Sequence, residues 1–211
     1  MINFSLIETM RYEPGQGIVR LNLHMARLGN STRKLGFAGF DQARSGLEAT
    51  VASLAETCRI RLELFRDGRC EIVTSPFAPL PEDTVWAVGV AKSAHLSSSE
   101  PLLRHKTSER QAYEQARSEY SRQECDEVLL LNEKDEICEG TITNVFVDAG
   151  GGKLLTPALS SGCLAGVLRT SLICAKKATV ERITPDMLER YPFYLGNSLR
   201  GLIRGTLLTR R

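Results

Sequence analysis

The sequence predicts a mixed α/β (α+β) protein folded as two lobes, and three observations carry that reading. Runs in which apolar and polar residues alternate, as half-buried strands require, recur in both halves of the chain. Between them lie segments whose apolar residues return every three or four positions, as on one face of a helix. A serine-rich stretch without periodicity, Lys92 to Leu103, separates the two blocks. The expected layout is a small α/β lobe over 1–91, a linker over 92–105 and a larger lobe over 106–211. With 211 residues, 42% hydrophobic and 25% charged, the chain can bury a real core.

Phe4 to Arg11 reads as a strand, and Glu13-Pro14-Gly15-Gln16-Gly17 supplies turn dihedrals at low cost before Ile18 to Leu21 returns. Leu21, Met25, Leu28 and Leu35 recur at helical spacing up to Gly36, a good C-terminal stop. Asp41 is placed to cap a second helix with Leu47, Val51 and Leu54 on its core face. From Cys58 the period becomes two, through Ile60, Leu62 and Leu64, and Asp67-Gly68 turns the chain into Cys70 to Val73. Val85 to Ala91 is a further strand. In the second half Ser108 reads as the N-cap of a helix running to Arg122. Glu127 to Leu131 and Glu136 to Glu139 form a hairpin, and Ile142 to Val147 and Leu154 to Thr156 continue as sheet. Val167 to Lys177 has helical spacing, Thr184-Pro185 opens another helix, and Phe193 to Leu208 is strand-like with glycine interruptions. No repeat appears, and the order of elements does not follow a regular parallel βαβ array.

Several function classes lose support. A net charge of +2, from 27 basic and 25 acidic residues, gives no field suited to nucleic acid or a membrane surface. The six cysteines show no C-x-x-C spacing and there are three histidines, so a metal site is not expected. No apolar run reaches the roughly 18 residues of a membrane helix, and no charged-then-apolar leader opens the chain, which points to a cytoplasmic protein with reduced thiols.

Four segments could carry chemistry. Lys106 sits among cations in Arg104-His105-Lys106-Thr107-Ser108-Glu109-Arg110, and neighbouring positive charge favours a neutral, nucleophilic amine. Locally the segment reads first as a solvated basic turn, since charge runs usually face water. Cys138-Glu139-Gly140-Thr141-Ile142-Thr143-Asn144 puts a carboxylate and small polar groups into an apolar sheet, although a rim glutamate and a turn asparagine would look the same. Ser160 to Gly166 leads into the helix at Val167, where free amides and the helix dipole suit an anion, or simply a capped helix. Asn197-Ser198-Leu199-Arg200 is another polar cluster that also reads as a turn.

Together these stretches resemble the fold-type IV pyridoxal-phosphate enzymes, the class IV aminotransferase family. The likeness covers nearly the whole chain. It rests on E-G-T-x-T-N-x-F at Glu139 to Phe146, T-P followed by G-x-L-x-G-V-L-R from Thr156 to Arg169, and H-x-x-R-L at His24 to Leu28. The resemblance implies a two-lobed D-amino acid aminotransferase-like fold with a barrel-like sheet in the larger lobe and pyridoxal 5'-phosphate between the lobes. It implies a Schiff base on Lys106 and Glu139 under the pyridine nitrogen. Arg27, the backbone at Val167 and Leu168, and the turn at Asn197 and Ser198 would hold the phosphate, and Asn144 would be a further cofactor-binding residue. It also implies a homodimer acting on a small amino substrate.

Within that family Phe4 to Arg11, Arg104 to Tyr113 and Asn197 to Gly201 look most like 4-amino-4-deoxychorismate lyases, which release pyruvate and leave 4-aminobenzoate for folate synthesis. Lys106 would take the substrate's ring proton and Thr9 would assist proton delivery. The rival is an aminotransferase for branched-chain or D-amino acids using the same lysine and glutamate. A third reading is a binding protein that keeps the fold without turnover, because family members usually carry an Asp-Arg pair and an aromatic-Gly-Asp-Gly run ahead of the strand that begins in this chain at Phe4.

Overall fold

The computed structural model describes residues 4–208, and their contacts divide the chain into two units. The first runs to Pro79 and takes back His105–Glu109; the second holds Leu80–Arg104 and the chain from Arg110 onward. These divisions fall elsewhere than 1–91, 92–105 and 106–211. The expected linker contains the end of a strand of the second unit, and Lys106 belongs to the first.

In the first unit β1 (Leu6–Glu13) buries Leu6, Met10 and Tyr12 on one face, and Glu8 falls in the same series. A short turn leads to β2 (Gly17–Ile18). The helix α1 (Leu21–Leu35) ends as expected at Gly36, whose φ of 69° lets its N–H return to the Thr32 carbonyl. For α2 (Phe40–Ala52) the expectation fails at the cap: Gly39 stands there and Asp41 lies in the first turn, where its charge faces the positive helix end. Glycine is needed because φ is 84° and a Cβ would lie 2.5 Å from the Gly68 carbonyl oxygen. Gly68 itself turns β3 (Cys58–Leu64) into β4 (Cys70–Pro76). The strands pair antiparallel in the order β2-β1-β3-β4. Leu28 and Leu47 from the helices close over Ile60, Leu62 and Leu64, each such side chain contributing roughly 1.5–3 kcal/mol by leaving water.

The second unit is one eight-stranded sheet with helices. Its strands are β5 (Val85–Leu96), β6 (Glu127–Asn132), β7 (Ile137–Gly140), β8 (Asn144–Val147), β9 (Leu154–Pro157), β10 (Ala178–Glu181), β11 (Phe193–Asn197) and β12 (Gly201–Leu207). Their order is β10-β9-β8-β11-β12-β5-β6-β7. Since β7 is an edge strand and three residues join it to β8 near the other edge, the sheet has to curl into a half-barrel. The stretch from Lys92, read as aperiodic, continues β5 to Leu96. Its pairing with β6 shifts register between Val90 and His95, which breaks the period. The Glu119 carboxylate holds the amides of Lys92, Ser93 and Ala94 there.

The helix α3 (Gln111–Ser118) starts later and ends earlier than expected, with Arg110 at its cap. Ser108 does not cap it, because its hydroxyl accepts from the Ser5 amide at 2.9 Å. Short β10, parallel to β9 and mostly exposed, had no readable period. The helices α4 (Val167–Cys174) and α5 (Pro185–Arg190) lie where the spacing puts them, α5 with Pro185 in its first turn.

Gly39→Ala should lower stability by roughly 2–3 kcal/mol through left-handed strain and overlap with Gly68. An unchanged urea midpoint would refute the close approach.

Candidate active site

The second-unit part of the site begins at Glu127, buried at the start of β6. Its Oε1 accepts from the amides of Val128 and Thr141 and from the Thr141 hydroxyl, at 2.9, 2.9 and 2.5 Å. Its Oε2 accepts from the Ile142 amide at 3.1 Å and the Thr143 hydroxyl at 2.8 Å. The whole β7–β8 turn is thereby wrapped around one carboxylate. Gly140 is required by packing, since a Cβ would sit 2.5 Å from Thr143 Oγ1 and 2.8 Å from the Glu127 carboxyl carbon. The turn's carbonyls are taken too, Thr141 by Arg110 and Ile142 by Asn197.

This turn sets two expected site residues side by side. Glu139, 5% exposed on β7, accepts from Asn144 Nδ2 at 3.3 Å and the Leu164 amide at 3.1 Å on Oε2. Its Oε1 accepts from the Tyr113 hydroxyl at 2.7 Å. Burial, and then the charge and hydrogen bond of Glu139, hold the Tyr113 phenol far above its usual ionisation range, so it remains a donor. Asn144 also donates to the Leu164 carbonyl, which ties the loop before α4 to β8. Gly166 caps α4 where any side chain would run into Asn144 Oδ1. The first-turn amides of Val167, Leu168 and Arg169 have no carbonyl within the helix to bond. Arg169, buried, anchors the helix by donating to the Pro157 carbonyl at 2.8 Å.

The β11–β12 turn comes up against the same helix end. A Cβ on Gly196 would lie 2.7 Å from Leu168 Cδ2, so the residue before Asn197 touches α4. Asn197 Oδ1 accepts the Arg200 amide and closes the turn, with Ser198 buried in it. Glu139, Asn144, Val167, Leu168, Asn197 and Ser198 are thus joined by contacts within one unit.

Thr9, Arg27 and Lys106 lie in the first unit. The Lys106 carbonyl accepts the Ile7 amide at 2.8 Å, the Ser108 amide donates to the Ser5 carbonyl, and His105 Nδ1 meets Ser31 Oγ at 2.8 Å. The segment 105–108 is therefore tied to the start of β1 through a single antiparallel bridge between Leu6 and Thr107. Of the cations beside Lys106 in sequence, Arg104 and Arg110 donate to main-chain carbonyls of the second unit. Burial, then the Lys34 charge, lower the pKa of His105.

Arg27 grips Glu8 with both Nε and Nη2, at 2.8 and 2.6 Å, and His24 Nδ1 lies 2.6 Å from the same carboxylate. Burial works to raise the Glu8 pKa, but the Arg27 charge and the bonds from His24 and Arg27 outweigh it and hold it at about 2. Burial lowers the His24 pKa against the opposing hydrogen bond and charge of Glu8. By strand alternation Thr9 points to the face of β1 opposite Glu8. Glu8, Tyr113 and Glu127 went unread in the sequence. Only Glu8 left a signal, a carboxylate in register with Leu6 and Met10.

A carboxyl with its pKa lowered on folding stabilises the protein above its unfolded value of 4.5 and ceases to do so as pH falls toward about 2. That interval is worth on the order of 3 kcal/mol. Glu8→Gln should flatten acid denaturation over this range, and Arg27→Ala, leaving a buried charge unpaired, should cost about 3–5 kcal/mol at neutral pH. Gly140→Ala should displace Glu127 or Thr143 and lower thermal stability. An alanine variant as stable as wild type would contradict the packing of the turn.

The family model for "Amino-transferase class IV" matches residues 5–208. A solved structure from Mesorhizobium loti, described as a "Putative amino-acid aminotransferase", is 46% identical with a TM-score of 0.93, over 97% of this chain and 100% of that one. A "Probable branched-chain-amino-acid aminotransferase" of Thermotoga maritima is 32% identical over 142 residues, 66% of this chain but only 50% of that relative's length. A "Putative aminodeoxychorismate lyase" of Schizosaccharomyces pombe is 25% identical over 97% of this chain and 90% of its own length. With the family model spanning nearly every described residue and the fold matched from end to end, this chain belongs to the class IV aminotransferase family, enzymes that depend on pyridoxal phosphate.

Proposed function

We propose that the chain is a pyridoxal-phosphate-dependent lyase that converts 4-amino-4-deoxychorismate into 4-aminobenzoate and pyruvate. The observation that carries the cofactor reading is Glu139, a buried carboxylate whose orientation is set by donors from α3, β8 and the loop before α4. The residues suit the group: a carboxylate answers a protonated ring nitrogen, and the α4 end offers amides to a phosphate. Bound there, pyridoxal phosphate supplies a ring that accepts the electrons of the bond broken in the substrate.

The chain's residues take the remaining roles. Glu139 holds the proton on the ring nitrogen, and Asn144 holds Glu139. The amides of Val167 and Leu168, with Asn197 and Ser198, orient the phosphate. Arg27 joins them while keeping Glu8, which its five N–H donors permit. Lys106 would hold the group covalently, and its amine would take the proton from the substrate's ring carbon. Thr9 passes a proton to the departing enolpyruvyl carbon.

The lyase assignment is supported by the S. pombe relative, which matches along both chains, and by the segments around Lys106 and Asn197. The 46% identity to the M. loti structure favours a second reading, amino transfer to a 2-oxo acid by the same residues. A cytoplasmic homodimer is part of the proposal. Among the described residues no helix is long and apolar enough to cross a membrane.

Borohydride reduction of the loaded protein followed by peptide mapping should place a pyridoxyl group on Lys106, and Lys106→Ala should lose both adduct and activity. Glu139→Gln should keep the cofactor and slow turnover by roughly 100-fold or more. Aminodeoxychorismate should yield 4-aminobenzoate. Amino transfer without that product would replace the lyase by the second reading, and an unlabelled Lys106 would end both.

A further inference from the structure

We propose that Tyr113 is a positioning residue that moderates the charge of Glu139 and so sets how firmly the cofactor's ring nitrogen is held protonated; this rests on the cofactor reading above and deepens it. Nothing in the resemblance assigns Tyr113 a role. Its hydroxyl lies 2.7 Å from Glu139 Oε1, while Asn144 and the Leu164 amide hold Oε2. The phenol is itself fixed from outside. The Arg110 guanidinium sits 4.6 Å from its ring centroid and donates to the Thr141 carbonyl, so ring, turn and carboxylate form one assembly.

A hydroxyl donating to a buried carboxylate draws negative charge toward itself and lowers the carboxylate's hold on any other proton. With Asn144 and Leu164 still fixing Oε2, loss of the hydroxyl changes that charge more than the orientation. Other ionisable groups face the pair. Arg110 faces it from the start of α3, Cys138 from β7, Cys163 from the loop before α4 and Arg169 from α4. Burial pushes both thiols up, that of Cys163 to about 12 and that of Cys138 further, so neither changes charge near neutrality. Tyr113 also remains protonated through that range, which makes it a constant donor.

Two measurements test this, one without cofactor. In the apo protein, ultraviolet titration of the five tyrosines in wild type, Tyr113→Phe and Glu139→Gln should show a phenol that resists ionisation in wild type. In Glu139→Gln its proton affinity should fall by about tenfold or more. An unmoved titration overturns the proposal. In protein loaded with cofactor labelled with 15N at the ring, the nitrogen's chemical shift reports its proton directly. Tyr113→Phe should raise the ring nitrogen's proton affinity about tenfold, the scale of one hydrogen bond to a charged group. An unchanged or lowered affinity overturns the proposal. If the apo result holds but no adduct forms on Lys106, the contact is real and the cofactor reading has failed, and with it the positioning role of Tyr113.

Discussion

The second unit is organised around one buried carboxylate, Glu127, that serves no visible chemistry. Taking a charge out of water costs several kcal/mol unless hydrogen bonds replace the lost solvent. Glu127 recovers them from the amides and hydroxyls of a single turn. Because those donors come from consecutive residues, the turn can adopt few other shapes. Its two ends are then fixed, and they are Glu139 with Gly140 on one side and Asn144 on the other. Asn144 in turn sets the loop before α4, and α4 meets the β11–β12 turn at Gly196. A chain of contacts thus runs from a residue with no catalytic assignment to every second-unit residue of the candidate site.

The first unit solves a similar problem by other means. Glu8 also occupies a core-facing position on a strand, but its partners are a cation and an imidazole. A carboxylate gripped by arginine has its field largely cancelled. Glu8 therefore works as a brace between β1 and α1, while Glu139 accepts from the Tyr113 hydroxyl, Asn144 and the Leu164 amide. Arg27, read from sequence as a phosphate ligand, is first of all part of that brace.

Local patterns were legible where local forces decide the structure. The Leu21, Met25, Leu28 and Leu35 spacing and the stop at Gly36 marked α1, and the period-two run at Cys58 to Leu64 with Asp67-Gly68 marked the β3–β4 hairpin. The cluster around Glu139 could be seen as odd for a core, and its threonines turn out to be donors to Glu127. Expectations failed where a distant partner displaced a local one. Asp41 lost the cap of α2 to Gly39 because Gly68 presses there, and Ser108 lost the cap of α3 because Ser5 takes its hydroxyl. Residues 92–96 read as linker because a bulge in β5 breaks the alternation on which strand recognition depends.

The order of residues alone settled the number and kind of most elements, the two-lobed α/β class and the family motifs, since these follow from backbone propensity, spacing and side-chain chemistry within a few positions. It did not settle that Lys106 belongs with β1, or that the Glu139 carboxylate would accept from the Tyr113 hydroxyl. Those partners stand tens of residues apart in the chain. A buried charge selects its donors by distance and angle in the folded state, which no run of neighbouring residues encodes.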